Sequence, residues 1–186
     1  GMAPYGIPRY VDDVWKLVRM APDGSFALAM DYFAFHRSTT RPYSRKFLGL
    51  FGPPREPGDK FFTESSGYPP YFGPRPADFA EQARQNQYWA DMAASIQAVT
   101  EELVLNMARA VRRETGLPRL CLAGGVGLNS VANWKILRQA GVDELYVHPA
   151  AGDSGGAVGA ALYAYHALLG KPRAFVMEHA FWGAGY

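Results

Sequence analysis

Two glycine-rich phrases carry the chemistry that can be read from this sequence. The first is Ala123-Gly124-Gly125-Val126-Gly127-Leu128-Asn129, and the second is Ala151-Gly152-Asp153-Ser154-Gly155-Gly156-Ala157. Each follows a short apolar run and leads into a helical pattern. Glycine admits positive φ and lets backbone amides come close to a ligand. A helix start adds unpaired N–H groups and a partial positive charge. Gly124, Gly125, Val126, Asn129, Gly152, Ser154, Gly155 and Gly156 are therefore candidate contacts to a phosphate or a nucleotide. Neither phrase is a P-loop, since no Gly-Lys-Ser/Thr follows, and neither matches Gly-x-Gly-x-x-Gly. The bland alternative is packing, in which Gly155, Gly156 and Gly159 simply let a helix lie close to a sheet.

Asp153 is the one acid inside these turns. A bare carboxylate beside an anionic ligand is repulsive, so it points to a bridging cation or to a hydroxyl that it binds. The competing reading is a helix cap by Asp153 or Ser154, and Asn129 carries the same ambiguity.

The elements that position these turns follow a regular order. Leu120–Ala123 reads as a strand, Asn129–Ala140 as a helix, Glu144–His148 as a strand and Ser154–Leu169 as a helix. Short joins in a strand–helix–strand–helix order imply parallel strands. Both turns then fall at the carboxyl ends of neighbouring strands, where α/β folds place ligands. Ahead of this core, Met92, Ile96, Val99, Leu103, Met107 and Val111 recur at helical spacing as one apolar stripe, and Gly116 and Pro118 end it. Trp15–Met20 and Phe26–Phe35 read as two strands around Ala21-Pro22-Asp23-Gly24, with Val11–Asp13 as a short lead-in helix or turn. Residues 36–76 hold eight prolines among many aromatics and read as an ordered, loop-rich insertion.

At 186 residues, 48% hydrophobic and 19% charged, the chain has enough apolar material for one ordinary domain. A net charge of +2 without a basic block gives no argument for nucleic acid. No apolar run approaches the roughly 18 residues of a membrane span, so no membrane partner is expected. The single cysteine, Cys121, excludes an internal disulfide, fits a cytoplasmic protein, and reads as a small hydrophobe in its strand rather than a nucleophile. His36, His148, His166 and His179 show no ligand spacing, and His148 reads as structural. Arg55 reads as a loop pin. Both ends of the chain are loop phrases, which suggests a piece of something longer. Exposed aromatics suggest a homodimer.

The chain resembles the O-carbamoyltransferases that act on antibiotics and nodulation factors. The resemblance rests on Leu122–Asn129 with Ala132-Asn133, and on Pro149–Gly156 with Gly159-Ala160-Ala161. It extends to Met2-Ala3-Pro4-Tyr5-Gly6, Phe51-Gly52-Pro53-Pro54-Arg55 and Ala93–Glu102, all in the family's order. It implies the C-terminal part of an ASKHA (actin/hexokinase-like, ribonuclease H-like) lobe spanning 1–186, with 118–170 as nucleotide-binding core. That lobe is related to the ATPase that makes threonylcarbamoyladenosine on tRNA. The implied reaction moves a carbamoyl group from carbamoyl phosphate, through ATP-derived carbamoyladenylate, to a hydroxyl of a small-molecule acceptor. The resemblance also implies a divalent metal, iron by the family's pattern, on Asp153 and two histidines ahead of residue 1. The adenylate-forming module would follow Tyr186, with Met177–Gly183 resembling the junction to it. This fragment alone is then expected to be inactive. An ASKHA small-molecule kinase lobe and a non-catalytic nucleotide-binding fragment stand as the other readings.

Overall fold

The computed structural model describes residues 1–174, 176, 177, 179 and 181. The chain divides into two compact units, Gly1–Ala110 and Val111–Tyr186. A single helix, α3 (Phe79–Thr115), runs through the boundary between them.

In the first unit a short helix α1 (Val11–Trp15) precedes a two-stranded antiparallel hairpin, β1 (Val18–Met20) and β2 (Phe26–Leu28). Val18 pairs with Leu28 and Met20 with Phe26. The expected strands Trp15–Met20 and Phe26–Phe35 are thus corrected to two three-residue strands. Val14 and Val18, four apart, are both buried in one cluster with Phe51, Met92 and Val99. That shared burial joins the end of α1 and the start of β1 in one cluster. Beyond Leu28 the chain leaves the hairpin, and the backbone bridges Phe33 to Tyr43 instead. Helix α2 (Arg45–Phe51) lies within the 36–76 stretch. Its N-cap Ser44 accepts a hydrogen bond from the Phe47 amide, and Gly52 stops it at φ 73°.

Pro76 and Asp78 open α3, their carbonyls accepting from the Phe79 and Gln82 amides. Gly116 closes it at φ 68°. The buried side of α3 differs from the expected stripe. Met92 and Val99 are buried, whereas Ile96, Met107 and Val111 are 50%, 42% and 44% exposed. The buried positions include Ala83, Asn86, Ala90, Asp91, Ala94 and Ser95. Small and polar residues serve there because another stretch of backbone lies directly on the helix. A Cβ on Gly6 would sit 2.0 Å from the Ala90 carbonyl oxygen. Asp91 Oδ1 accepts from the Ile7 amide at 2.8 Å, and Ser95 Oγ accepts from the Tyr10 amide at 2.9 Å. A periodicity argument based on large apolar residues misses a face built this way. Phe62, Phe79 and Ala83 form a second buried cluster, with the two rings stacked at 5.2 Å.

In the second unit, β3 (Arg119–Leu122) and β4 (Glu144–Val147) pair in parallel, Arg119 with Glu144 through Leu122 with Val147. Helix α4 (Ser130–Gln139) connects them. Helix α5 (Gly155–Tyr163) follows β4 and continues as a wider π turn over Ala164–Leu168. The sequence order and the parallel pairing agree, with element ends shifted by one or two residues. Helix α4 buries Ala132 and Ile136, while α5 buries none of its residues. Both strands alternate exposed and half-buried residues. Cys121, on β3, is exposed.

Candidate functional site

The two glycine turns meet. The Gly124 amide donates to the Ala151 carbonyl at 2.8 Å. A Cβ on Gly152 would find the Gly125 Cα at 3.9 Å. Parallel pairing of β3 and β4 is what puts both strand ends on the same edge of the sheet. Ala123 and part of the second turn, Ala150, Ala151, Gly152, Gly155 and Gly156, line a cavity of about 380 Å³ together with His148 and Leu162; Asp153 and Ser154 are not in its lining.

The first turn is a short 310 helix, Gly125–Leu128, entered through Gly124 at φ 100°. The leading N–H groups of such a turn, those of Gly125 and Val126, have no partner within it. The Gly127 and Asn129 amides are already used, donating to Gly124 and Val126 at 2.9 Å each. Asn129 takes the capping role: its Oδ1 accepts from the Ala132 amide at 3.1 Å and starts α4.

The glycines differ in what demands them. A Cβ at Gly155 would meet the Ala150 carbonyl oxygen at 2.1 Å, so that residue is required by packing. Gly124 is required by its φ. Gly125, Gly156 and Gly159 have ordinary φ, and a Cβ there would meet nothing within 4 Å. Neither backbone conformation nor the chain's own packing accounts for glycine at those three positions. Packing within the turn thus demands glycine at 155, while at 156 and 159 a Cβ would meet nothing among the described residues.

Asp153 is exposed, and its carboxylate makes no hydrogen bond or ion pair among the described residues. Ser154 occupies the N-cap position of α5 without a side-chain hydrogen bond, so the capping alternative is not realised by either residue. As a metal ligand Asp153 would supply one carboxylate. Among the described residues no group of three His, Cys, Asp or Glu side chains could hold an ion. The donor set thus fits one ligand of a divalent cation and not a complete site.

His148 is turned inward to the chain, its Nδ1 accepting from the Ala150 amide at 3.0 Å. That bond fixes the entry to the second turn and places the proton on Nε2. His148 also lines a second cavity of about 520 Å³ with Cys121, Tyr146, Leu162, His166 and Arg173. Sequence reasoning had no signal for that cavity, because its lining is spread over four separate segments. Arg55 pins its loop, Nη2 donating to the Asp59 carbonyl. No helix among the described residues is long and apolar enough to cross a membrane. The stretch resembling an inter-module junction, Met177–Gly183, lies partly outside the described residues.

Comparison with known proteins adds a family. The model described as carbamoyltransferase N-terminus matches residues 1–162. The Synechocystis protein sll1178 is 40% identical over 93% of this chain and 24% of its own length. The nodulation protein NolO of Bradyrhizobium diazoefficiens is 44% identical over 46% of the chain and 16% of its own length. The nodulation protein NolNO of Sinorhizobium fredii is 33% identical over 74% of the chain and 22% of its own length. The chain therefore spans a quarter or less of each of these relatives.

Proposed function

The chain belongs to the carbamoyltransferase N-terminal family, and from that premise we propose that its joined glycine turns hold the nucleotide part of a carbamoyl donor. The reading extends to the whole protein as an O-carbamoyltransferase. Its donor would be carbamoyladenylate, made from carbamoyl phosphate and ATP, and its acceptor a hydroxyl of a small molecule. The fold it calls for is an ASKHA-type lobe, of which 118–170 would be the nucleotide-binding core.

The observation that carries the reading is the contact between the turns, the 2.8 Å bond from the Gly124 amide to Ala151, with open space over Gly125 and Gly156. Attack by an alcohol on the carbamoyl carbon builds negative charge first on the carbonyl oxygen and then on departing AMP. Fixed backbone amides lower the energy of such charge without reorganising at the moment of reaction. In this chain the reading assigns that role to the Gly125 and Val126 amides, since the Gly155 and Gly156 amides at the start of α5 already donate to the Gly152 and Asp153 carbonyls. No covalent enzyme intermediate is needed, consistent with a site that offers no paired nucleophile and base. A divalent metal, when bound, would add charge neutralisation, and Asp153 is the residue that would hold it here.

Calorimetry on this chain with AMP and ATP tests the site, and binding of at least one is expected. The longer protein, given carbamoyl phosphate, ATP and a hydroxyl acceptor, should release AMP. Release of ADP in its place would favour a kinase of the same fold. Nucleotide binding without turnover by the longer protein would favour a binding module. No binding to the chain and no AMP from the longer protein would end the proposal.

A further inference from the structure

Asn133 lies one turn into α4, facing back toward the first glycine turn. Its Nδ2 donates to the Gly127 carbonyl at 2.7 Å, while its own amide donates to the Asn129 carbonyl at 2.9 Å. Asn129 reaches the other way, its Oδ1 accepting from Ala132. The two asparagines thus tie turn to helix in both directions.

Stability alone does not explain this residue. Asparagine is a poor helix former in a helix interior. Its Oδ1 is buried without a hydrogen-bond partner, an arrangement that disfavours the folded state. An apolar residue of similar size would remove both penalties. What asparagine supplies is the Nδ2 donor. The turn it reaches contains glycine at 124, 125 and 127, and glycine carries the largest conformational freedom of any residue. Backbone bonds to Gly124, Val126 and Ala151 hold part of that turn, and the Asn133 bond adds a side-chain tie to it from α4.

We infer that Asn133 is a positioning residue: its hydrogen bond to Gly127 holds the Gly124–Asn129 turn in one conformation, so that the Gly125 and Val126 amides are presented together to an anion. The inference deepens the nucleotide reading of this turn and rests on it for the identity of the anion. The conformational part stands without a ligand.

The test uses Asn133→Leu and Asn133→Asp in this chain. Leucine keeps size, improves helix propensity and removes the orphaned acceptor. Aspartate keeps shape and removes the donor. Hydrogen exchange of the peptide covering 123–130 is expected to accelerate tenfold or more in both variants. Peptides from α3 should be unchanged, and the leucine variant should melt no lower than wild type. Affinity for AMP should fall tenfold or more by calorimetry. Unchanged exchange at 123–130 would overturn the inference, as would a leucine variant that loses thermal stability while retaining AMP affinity. If the wild type binds no nucleotide, the proposed function fails, and the exchange comparison still decides the role of Asn133.

Discussion

At the scale of single residues, the glycines of the second turn separate packing from ligand access. Gly155→Ala drives a Cβ into the Ala150 carbonyl at 2.1 Å, a backbone clash that the turn must shift to relieve. It is expected to lower stability by about 1–3 kcal/mol, as overpacking does. Gly156→Ala meets open space and gains helix propensity of up to about 1 kcal/mol. It should melt at or above the wild-type temperature, yet weaken nucleotide binding by filling the space over the turn. Melting curves and calorimetry on the two variants check this, and a Gly156→Ala variant with full affinity would remove that glycine from the site. A second prediction concerns Asp31 and Lys46, which form an ion pair. The hydrogen bond from Lys46 lowers the Asp31 carboxyl below its usual value. The same bond raises Lys46. A depressed carboxyl contributes stability that is present above its unfolded pKa and lost as pH falls through the folded one. Local protection around 31–46 should therefore decline on the acid side, below about pH 4, and Asp31→Asn should abolish that dependence. Both side chains are exposed, so salt should weaken the effect.

At the scale of elements, α3 is held by more than its apolar face. Asp91, 3% exposed, accepts from the Ile7 amide and from Gln87 Nε2 at 2.8 Å each, and pairs with Arg9 at 3.3 Å. This carboxylate clamps the N-terminal segment to the helix where Gly6 allows close approach. Asp91→Ala leaves those donors without their acceptor and is expected to cost about 1–3 kcal/mol. The exposed Arg9 adds little to that figure. Chemical denaturation should show the loss, with early exchange at residues 5–10. An Asp91→Ala variant as stable as wild type would mean that water replaces the carboxylate freely. This clamp was invisible to the apolar-stripe reading, which ranked Ile96 and Met107 as core and passed over Asp91 and Ser95. The sequence signal that could have found it is the row of Ala, Ser and Asp at helical spacing opposite a Pro- and Gly-containing segment.

At the scale of the molecule, the two units bury very different amounts of apolar material. In Val111–Tyr186 the buried hydrophobic residues among those described are Ala132, Ile136, Ala140, Val142 and Ala151. Leu117, Leu128, Val131, Trp134, Leu168 and Leu169 in the same unit are each more than half exposed. So small a core opens readily. Hydrogen exchange across β3, α4, β4 and α5 is therefore expected to be at least tenfold faster than in the first unit's portion of α3. Saturating AMP should slow exchange at 123–130 and 151–157 in particular. Equal protection in the two units would show that the small core is enough. Exposed apolar surface of this extent also favours association. Sedimentation of Trp134→Glu against the wild type tests the expected homodimer, with a shift toward monomer predicted.

What the sequence determined by itself was local and periodic. The strand–helix–strand–helix order of 118–170 was legible because each element is bounded by Gly or Pro and is built from apolar residues close in sequence. The glycine turns were legible because glycines cluster directly after each strand run, though only Gly124 among them takes a positive φ. Only the tertiary structure decided which glycines are demanded by packing and which leave open space, because that depends on atoms such as the Ala150 carbonyl whose position no spacing reveals. It decided likewise that the lead-in segment from Val11 is a helix rather than a turn, and that it runs to Trp15. It showed that Asn129 caps α4 while Asp153 stands unpaired. A side chain's partner is fixed by the packing of distant segments, and one-dimensional patterns carry no record of that.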